Sequence, residues 1–137
     1  MSRSSVPIVT VDGPSGSGKG TLSSALGNAL GWAVLDSGSL YRAIALETFS
    51  KKIEIHEAEE REIFELINSL NIELKSKKIY LNSKDVSEDI RTEEIGFRAS
   101  KIASNPRLRS GILGFQRSFI SSPGLVADGR DMGTVVF

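Results

Sequence analysis

Val6-Pro7-Ile8-Val9-Thr10-Val11-Asp12-Gly13-Pro14-Ser15-Gly16-Ser17-Gly18-Lys19-Gly20-Thr21 decides the fold. Residues 6–11 are apolar and largely β-branched without alternation, which predicts a strand covered on both faces, as in a parallel α/β sheet. Asp12-Gly13-Pro14 stops that strand. Further on, Leu22, Ala25, Leu26, Ala29 and Leu30 recur at helical spacing, and Gly31 supplies a stop. Between strand and helix, residues 13–19 read G-x-x-x-x-G-K. Glycines let the backbone curl so that successive N–H groups converge on phosphate oxygens, and the helix start adds the positive end of its dipole. A chance glycine-rich turn would not also need a buried strand before it and an amphipathic helix after it.

The candidate ATP contacts are therefore Gly13, Pro14, Ser15, Gly16, Ser17, Gly18, Lys19, Gly20 and Thr21. Lys19 is the candidate catalytic cation for the β- and γ-phosphates. The position after it is Gly20 rather than the usual Ser or Thr, so the hydroxyl expected on Mg²⁺ moves to Thr21.

Working outward, residues 32–35 read as a second short strand closed by Asp36-Ser37-Gly38, and 39–49 as a helix. Strand, helix, strand, helix is the α/β order. The middle of the chain differs in texture. Residues 57–69 predict an amphipathic helix with Ile63, Phe64, Ile67 and Leu70 on one side. Residues 72–74 and 79–81 alternate around 76–78 as a β-hairpin, with a short third strand at Val86. Antiparallel structure inside a parallel plan reads as an insertion. The expected organisation is a core in 1–50, an inserted subdomain in 51–95 and a return to the core in 96–137. Helices are expected at 92–104 and 107–120, separated by Asn105-Pro106, and a buried strand at 125–127.

Composition narrows the function. Seventeen Lys and Arg balance 17 Asp and Glu, whereas a nucleic-acid binder usually shows a basic excess. With no cysteine and His56 as the lone histidine, disulfides, thiolate zinc sites and a Ser-His-Asp triad fall away. No apolar run approaches the roughly 20 residues of a membrane span, so a cytoplasmic protein is expected. His56 reads as an exposed polar residue and Trp32 as core. Between Ile95 and Arg130 stand Arg98, Lys101, Arg107, Arg109, Arg117 and Arg130 against one acid, Asp128. Such bias suits an anionic phosphate, which arginine grips bidentately. Lys101, Arg107 and Arg117 read as a solvated helix face, Arg109 and Arg130 as ligands. Asp128 closes an apolar strand, where a carboxylate holds Mg²⁺ or its waters, or merely caps a turn.

Gly-Lys-Gly-Thr at 18–21 resembles nucleoside monophosphate kinases. Residues 35–43 (Leu-Asp-Ser-Gly-Ser-Leu-Tyr-Arg-Ala), 88–94 (Glu-Asp-Ile-Arg-Thr-Glu-Glu) and 127–137 (Ala-Asp-Gly-Arg-Asp-Met-Gly-Thr-Val-Val-Phe) look like the bacterial cytidylate kinase family. The resemblance spans essentially the whole chain. It implies a P-loop NTPase core with a parallel sheet, carrying an inserted hairpin and helical subdomain for the nucleoside monophosphate. It implies transfer of the γ-phosphoryl of ATP to CMP or dCMP with Mg²⁺, by a monomer that binds neither nucleic acid nor membrane. By the same resemblance Ser37, Arg42, Ser100, Arg109, Arg130 and Asp131 contact CMP. Asp131 accepts from the cytosine amino group, and Lys19, Arg130 and Asp128 serve catalysis.

It also implies that the strand at 6–11 is central, flanked by 125–127 and by a strand from beyond Phe137. Residues 134–137 read as strand-like, so a chain cut short is expected, lacking a lid over ATP and inactive alone. The rivals are another small-molecule P-loop kinase, such as a shikimate or uridylate kinase, and a non-catalytic nucleotide-binding module.

Overall fold

The computed structural model describes residues 6–14, 17–55, 60–75, 78–130 and 132–137. Their contacts divide into two units, residues 1–37 with 115–137, and Gly38–Gly114. The architecture is mixed α/β with a parallel three-stranded sheet, as a P-loop NTPase kinase fold requires. Among the described residues, no helix is long and apolar enough to cross a membrane.

In the first unit the apolar runs form three strands, β1 (Ile8–Asp12), β2 (Ala33–Asp36) and β6 (Leu125–Gly129). Their order is β1-β6-β2, all parallel, with Ile8 opposite Leu125 and Ala33 opposite the same residue. β6 is buried at all five positions, whereas β1 is half-buried. A central strand has neighbours on both edges, so its side chains lose water most completely. The expected pairing of the first strand with 125–127 is present, and among the described residues β1 carries no strand on its other edge.

Helix α1 (Lys19–Leu30) starts three residues before its apolar spacing begins, and Gly31 closes it at φ 68°. Its packed face is the surprise. Ser23 and Gly27 are buried, while Leu22 and Leu30 are exposed. The reason is close approach, because a Cβ at Gly27 would collide with Val34 on β2. Small residues one turn apart let the helix lie against the sheet, and the leucines are left on the other side. Trp32 is half-buried with its ring over Gly124, where no Cβ would fit.

Residues 134–137 correct the sequence reading. Met132–Val136 is a wide helical turn, closed by Phe137 N–H donating to Met132 O at 2.8 Å. Its start is fixed by Asp12, whose carboxylate accepts from Met132 N at 2.6 Å and Gly133 N at 3.2 Å. An N-terminal carboxylate turns the chain into a helix that apolar composition alone would leave extended.

In the second unit, α2 runs Ser37–Ser50 across the division between the units, with Leu40, Ala43, Ile44 and Ala45 fully buried. Helix α3 (Glu60–Ser69) buries Ile63, Leu66 and Ile67, so the stripe is turned slightly from that expected. His56 and residues 57–59 lie outside the described residues, as do 76–77 at the hairpin tip. The hairpin is β3 (Ile72–Lys75) with β4 (Lys78–Leu81). The short β5 is Lys84–Asp85 rather than Val86, whose N–H instead donates to Ile79 O at 3.0 Å. Helix α4 (Glu93–Ser104) is capped by Thr92, whose hydroxyl accepts from Ile95 N. Helix α5 (Pro106–Arg117) ends earlier than the expected Ile120 because Ser118, Phe119 and Ile120 donate three residues back, in tight turns.

Candidate functional site

In a parallel sheet, ligands collect beyond the carboxyl ends of the strands. Here β1, β2 and β6 end in Asp12, Asp36 and Asp128-Gly129 respectively, and the loop after β1 is the glycine-rich one. Gly13 N donates to Gly129 O at 3.1 Å, tying the base of that loop to the end of β6. Ser17 closes its own turn, with Oγ on Pro14 O at 2.8 Å. Gly18 takes φ 85°, a conformation that favours glycine, and α1 begins without any side-chain cap. The first N–H groups of α1 thus meet no capping side chain, the usual arrangement of an anion-binding helix start. Ser15 and Gly16 lie outside the described residues.

Lys19 Nζ stands 3.4 Å from Asp128 Oδ1. Asp128 is only 2% exposed. Burial pushes its carboxyl above the ordinary carboxylate range, and the charge of Asp36, its register partner on β2, pushes the same way. Lys19 and the Ser23 hydroxyl pull it down less strongly. Two strand-end carboxylates are thus register partners, one of them in contact with the Lys19 ammonium. Oxygen donors of this kind suit a hard cation, and Mg²⁺ usually takes one or two carboxylates together with water and phosphate oxygens. Among the described residues no group of three or more Asp, Glu or His could hold a metal alone. Thr21 and Gly20 lie exposed on the first turn of α1.

The residues that the resemblance assigns to CMP fall in both units. Ser37 and Arg130 belong to the first, where Ser37 is buried at the start of α2 and Arg130 is exposed after β6. Asp131 lies outside the described residues. Arg42, Ser100 and Arg109 belong to the second. Arg42 donates to Ile90 O at 3.0 Å with its guanidinium over Gly96. Burial raises the Tyr41 hydroxyl pKa, and the Arg109 guanidinium beside it lowers it by a lesser amount. Ser100 is exposed on α4.

The remaining basic residues have structural partners. Arg98 donates to Ile53 O, Arg107 pairs with Glu60, and Lys101 sits over the Phe97 ring. Arg117, read from sequence as solvated, instead holds Val136 O at 2.7 Å and Val135 O at 3.3 Å. Three polar residues of the first unit were not singled out from sequence: Asp12, Asp36 and Gln116, the last donating to Ser37. Aligning the strand ends would have found two of them, since each apolar run stops at an aspartate.

A family model described as cytidylate kinase matches residues 9–137. The chain is 44% identical over 137 residues to a cytidylate kinase of Nitrosomonas europaea, covering all of this chain and 60% of that relative. Over 135 residues it is 48% identical to the Aeromonas salmonicida cytidylate kinase, covering 96% of this chain and 58% of the relative. With the Yersinia enterocolitica cytidylate kinase it shares 47% identity over 97% of its length. The chain therefore spans about three fifths of the length of these curated relatives. A phosphate loop rooted on a buried strand-end carboxylate agrees with a match that runs through nearly every residue, and the chain belongs to the cytidylate kinase family.

Proposed function

We propose that the protein transfers the γ-phosphoryl group of ATP to CMP or dCMP, giving ADP and CDP or dCDP. The observation that supports this most is the contact of Lys19 with Asp128 at the carboxyl end of the sheet. An acceptor phosphate oxygen attacks the γ-phosphorus in line as the bond to the ADP oxygen breaks, so catalysis is chiefly positioning and charge neutralisation. The N–H groups of the loop at 13–18 and of the start of α1 hold the donor phosphates, and Thr21 adds a hydroxyl. Lys19 leaves Asp128 for the β- and γ-phosphates. Asp128, with Asp36 beside it, would hold Mg²⁺ or its waters. That ion supplies charge neutralisation between the phosphate groups.

Arg42, Ser100, Arg109 and Arg130 are assigned to the acceptor nucleotide, the arginines to its phosphate. Ser37 and Asp131 are assigned to the cytosine, where a carboxylate favours the amino group of cytosine over the carbonyl of uracil. The stretch 51–95 is taken as the insert that shapes the acceptor side. The protein is further taken to be a cytoplasmic monomer with small-molecule nucleotide partners, in keeping with its net charge of zero.

A panel of acceptors with ATP and Mg²⁺ tests this reading in a protein of the curated relatives' length that carries this chain, the 137 residues alone being expected to be inactive. CMP and dCMP should be phosphorylated well ahead of UMP, AMP and shikimate, and Asp131→Asn should weaken CMP far more than ATP. Preference for another acceptor, or ATP binding without any acceptor-dependent turnover, would overturn it.

A further inference from the structure

Gln116 lies near the end of α5 and is 2% exposed. Its Nε2 donates to Ser37 Oγ at 2.8 Å, and its Oε1 is buried with no hydrogen-bond partner among the described residues. An amide with one end unanswered is a costly way to fill space, and Met or Leu would occupy a similar volume without that cost. The donated N–H has a consequence for Ser37. A hydroxyl has one proton and two lone pairs, and an amide nitrogen accepts nothing. Gln116 therefore takes up a lone pair of Ser37 and leaves the Ser37 proton to be given elsewhere. Ser37 is itself confined: it is 7% exposed, and a Cβ at Gly129 would stand 2.8 Å from its own Cβ.

We propose that Gln116 is a positioning residue for base selection, holding Ser37 as a hydrogen-bond donor toward the acceptor nucleotide. This rests on the reading that Ser37 meets the pyrimidine. Cytosine N3 accepts a hydrogen bond where uracil carries N3–H, so a hydroxyl fixed as a donor suits cytosine and opposes uracil. The unanswered Oε1 is tolerated because turning the amide over would point an acceptor at Ser37 and draw its proton inward.

The test replaces Gln116 by Met and, separately, by Leu, alone and together with Ser37→Ala. Each single variant should unfold at the same temperature as the parent or higher. KM for CMP should rise about 3- to 10-fold, the worth of one hydrogen bond, with KM for ATP unchanged. The preference for CMP over UMP should fall by a similar factor. In the Ser37→Ala background, Gln116→Met should add almost nothing. An unchanged KM for CMP, an equal rise for ATP, independent effects in the double variant, or loss of cooperative unfolding in both variants would overturn the proposal. CMP-dependent turnover of the unsubstituted protein tests the function reading by itself. The coupling of Gln116 to Ser37, also read from CMP binding by calorimetry, tests this one, so the two can fail separately.

Discussion

The Lys19 ammonium rests against the Asp128 carboxylate, 3.4 Å away, at the end of the strand that occupies the middle of the sheet. The ammonium thus partly offsets the charge of a buried acid. On the proposed function, phosphates would compete with that acid for Lys19, and Asp128 would then be open to a metal ion.

Lys19→Ala should lower kcat by about 100-fold or more, the usual loss when a charge-stabilising group is removed from the transition state. KM for ATP should change much less. Steady-state kinetics with each nucleotide varied will show it, and a rise in KM alone would make Lys19 a binding residue only.

Asp128→Asn should abolish turnover while raising thermal stability at neutral pH. Burial first, and Asp36 second, raise the Asp128 carboxyl above its ordinary value of 3.8 in the folded state. The folded protein therefore holds this proton to higher pH than the unfolded chain. The ionised group costs stability that is lost progressively as pH rises from 3.8 through the raised folded value. Below that window both states are protonated, so parent and variant melting temperatures should converge in acid and diverge at pH 7. A variant less stable than its parent at pH 7 would contradict this.

Asp12→Ala should cost about 0.5–2 kcal/mol, as loss of an N-terminal cap does. The urea midpoint should fall with an unchanged slope, and amide exchange should quicken at Met132 and Gly133, which donate to Asp12. Exchange unaltered at those two amides would refute the capping role.

Gly27→Ala and Gly114→Ala should move stability in opposite directions. A Cβ at Gly27 strikes Val34, which is overpacking worth about 1–3 kcal/mol. A Cβ at Gly114, exposed on α5, meets nothing within 4 Å, and Ala there should stabilise by about 0.5–1 kcal/mol. Thermal melts of the two variants decide it.

Much of this fold is legible in the sequence because strand and helix periods are local. The runs ending at Asp12, Asp36 and Asp128 become the three parallel strands, and the loop between Gly13 and Lys19 joins the first of them to α1. Other features depend on partners far along the chain. Nothing near Thr134 announces that Asp12 turns that segment into a helix. Leu22 and Leu30 promise a buried face that the close fit of Gly27 on Val34 assigns to small residues instead. The pairing of Gln116 with Ser37 joins two helices that are separate in the sequence, and no spacing encodes it.

The place of β6 also governs how the chain can assemble during translation. Of the three described parallel strands, the one made latest is the one that both others need, since β1 and β2 each pair with β6 and not with each other. The apolar segments at 8–12 and 33–36 must therefore leave the ribosome and wait for Leu125 before their backbones are paired. Residues 38–114, by contrast, form a continuous stretch of chain with its own contacts. The local contacts of this unit need no pairing across the sheet, whereas joining β1 and β2 to β6 closes loops of about a hundred residues and carries the larger entropic cost. Until then two hydrophobic segments wait without their β6 partner, open to pairing with other nascent chains, an aggregation hazard that this strand order builds in.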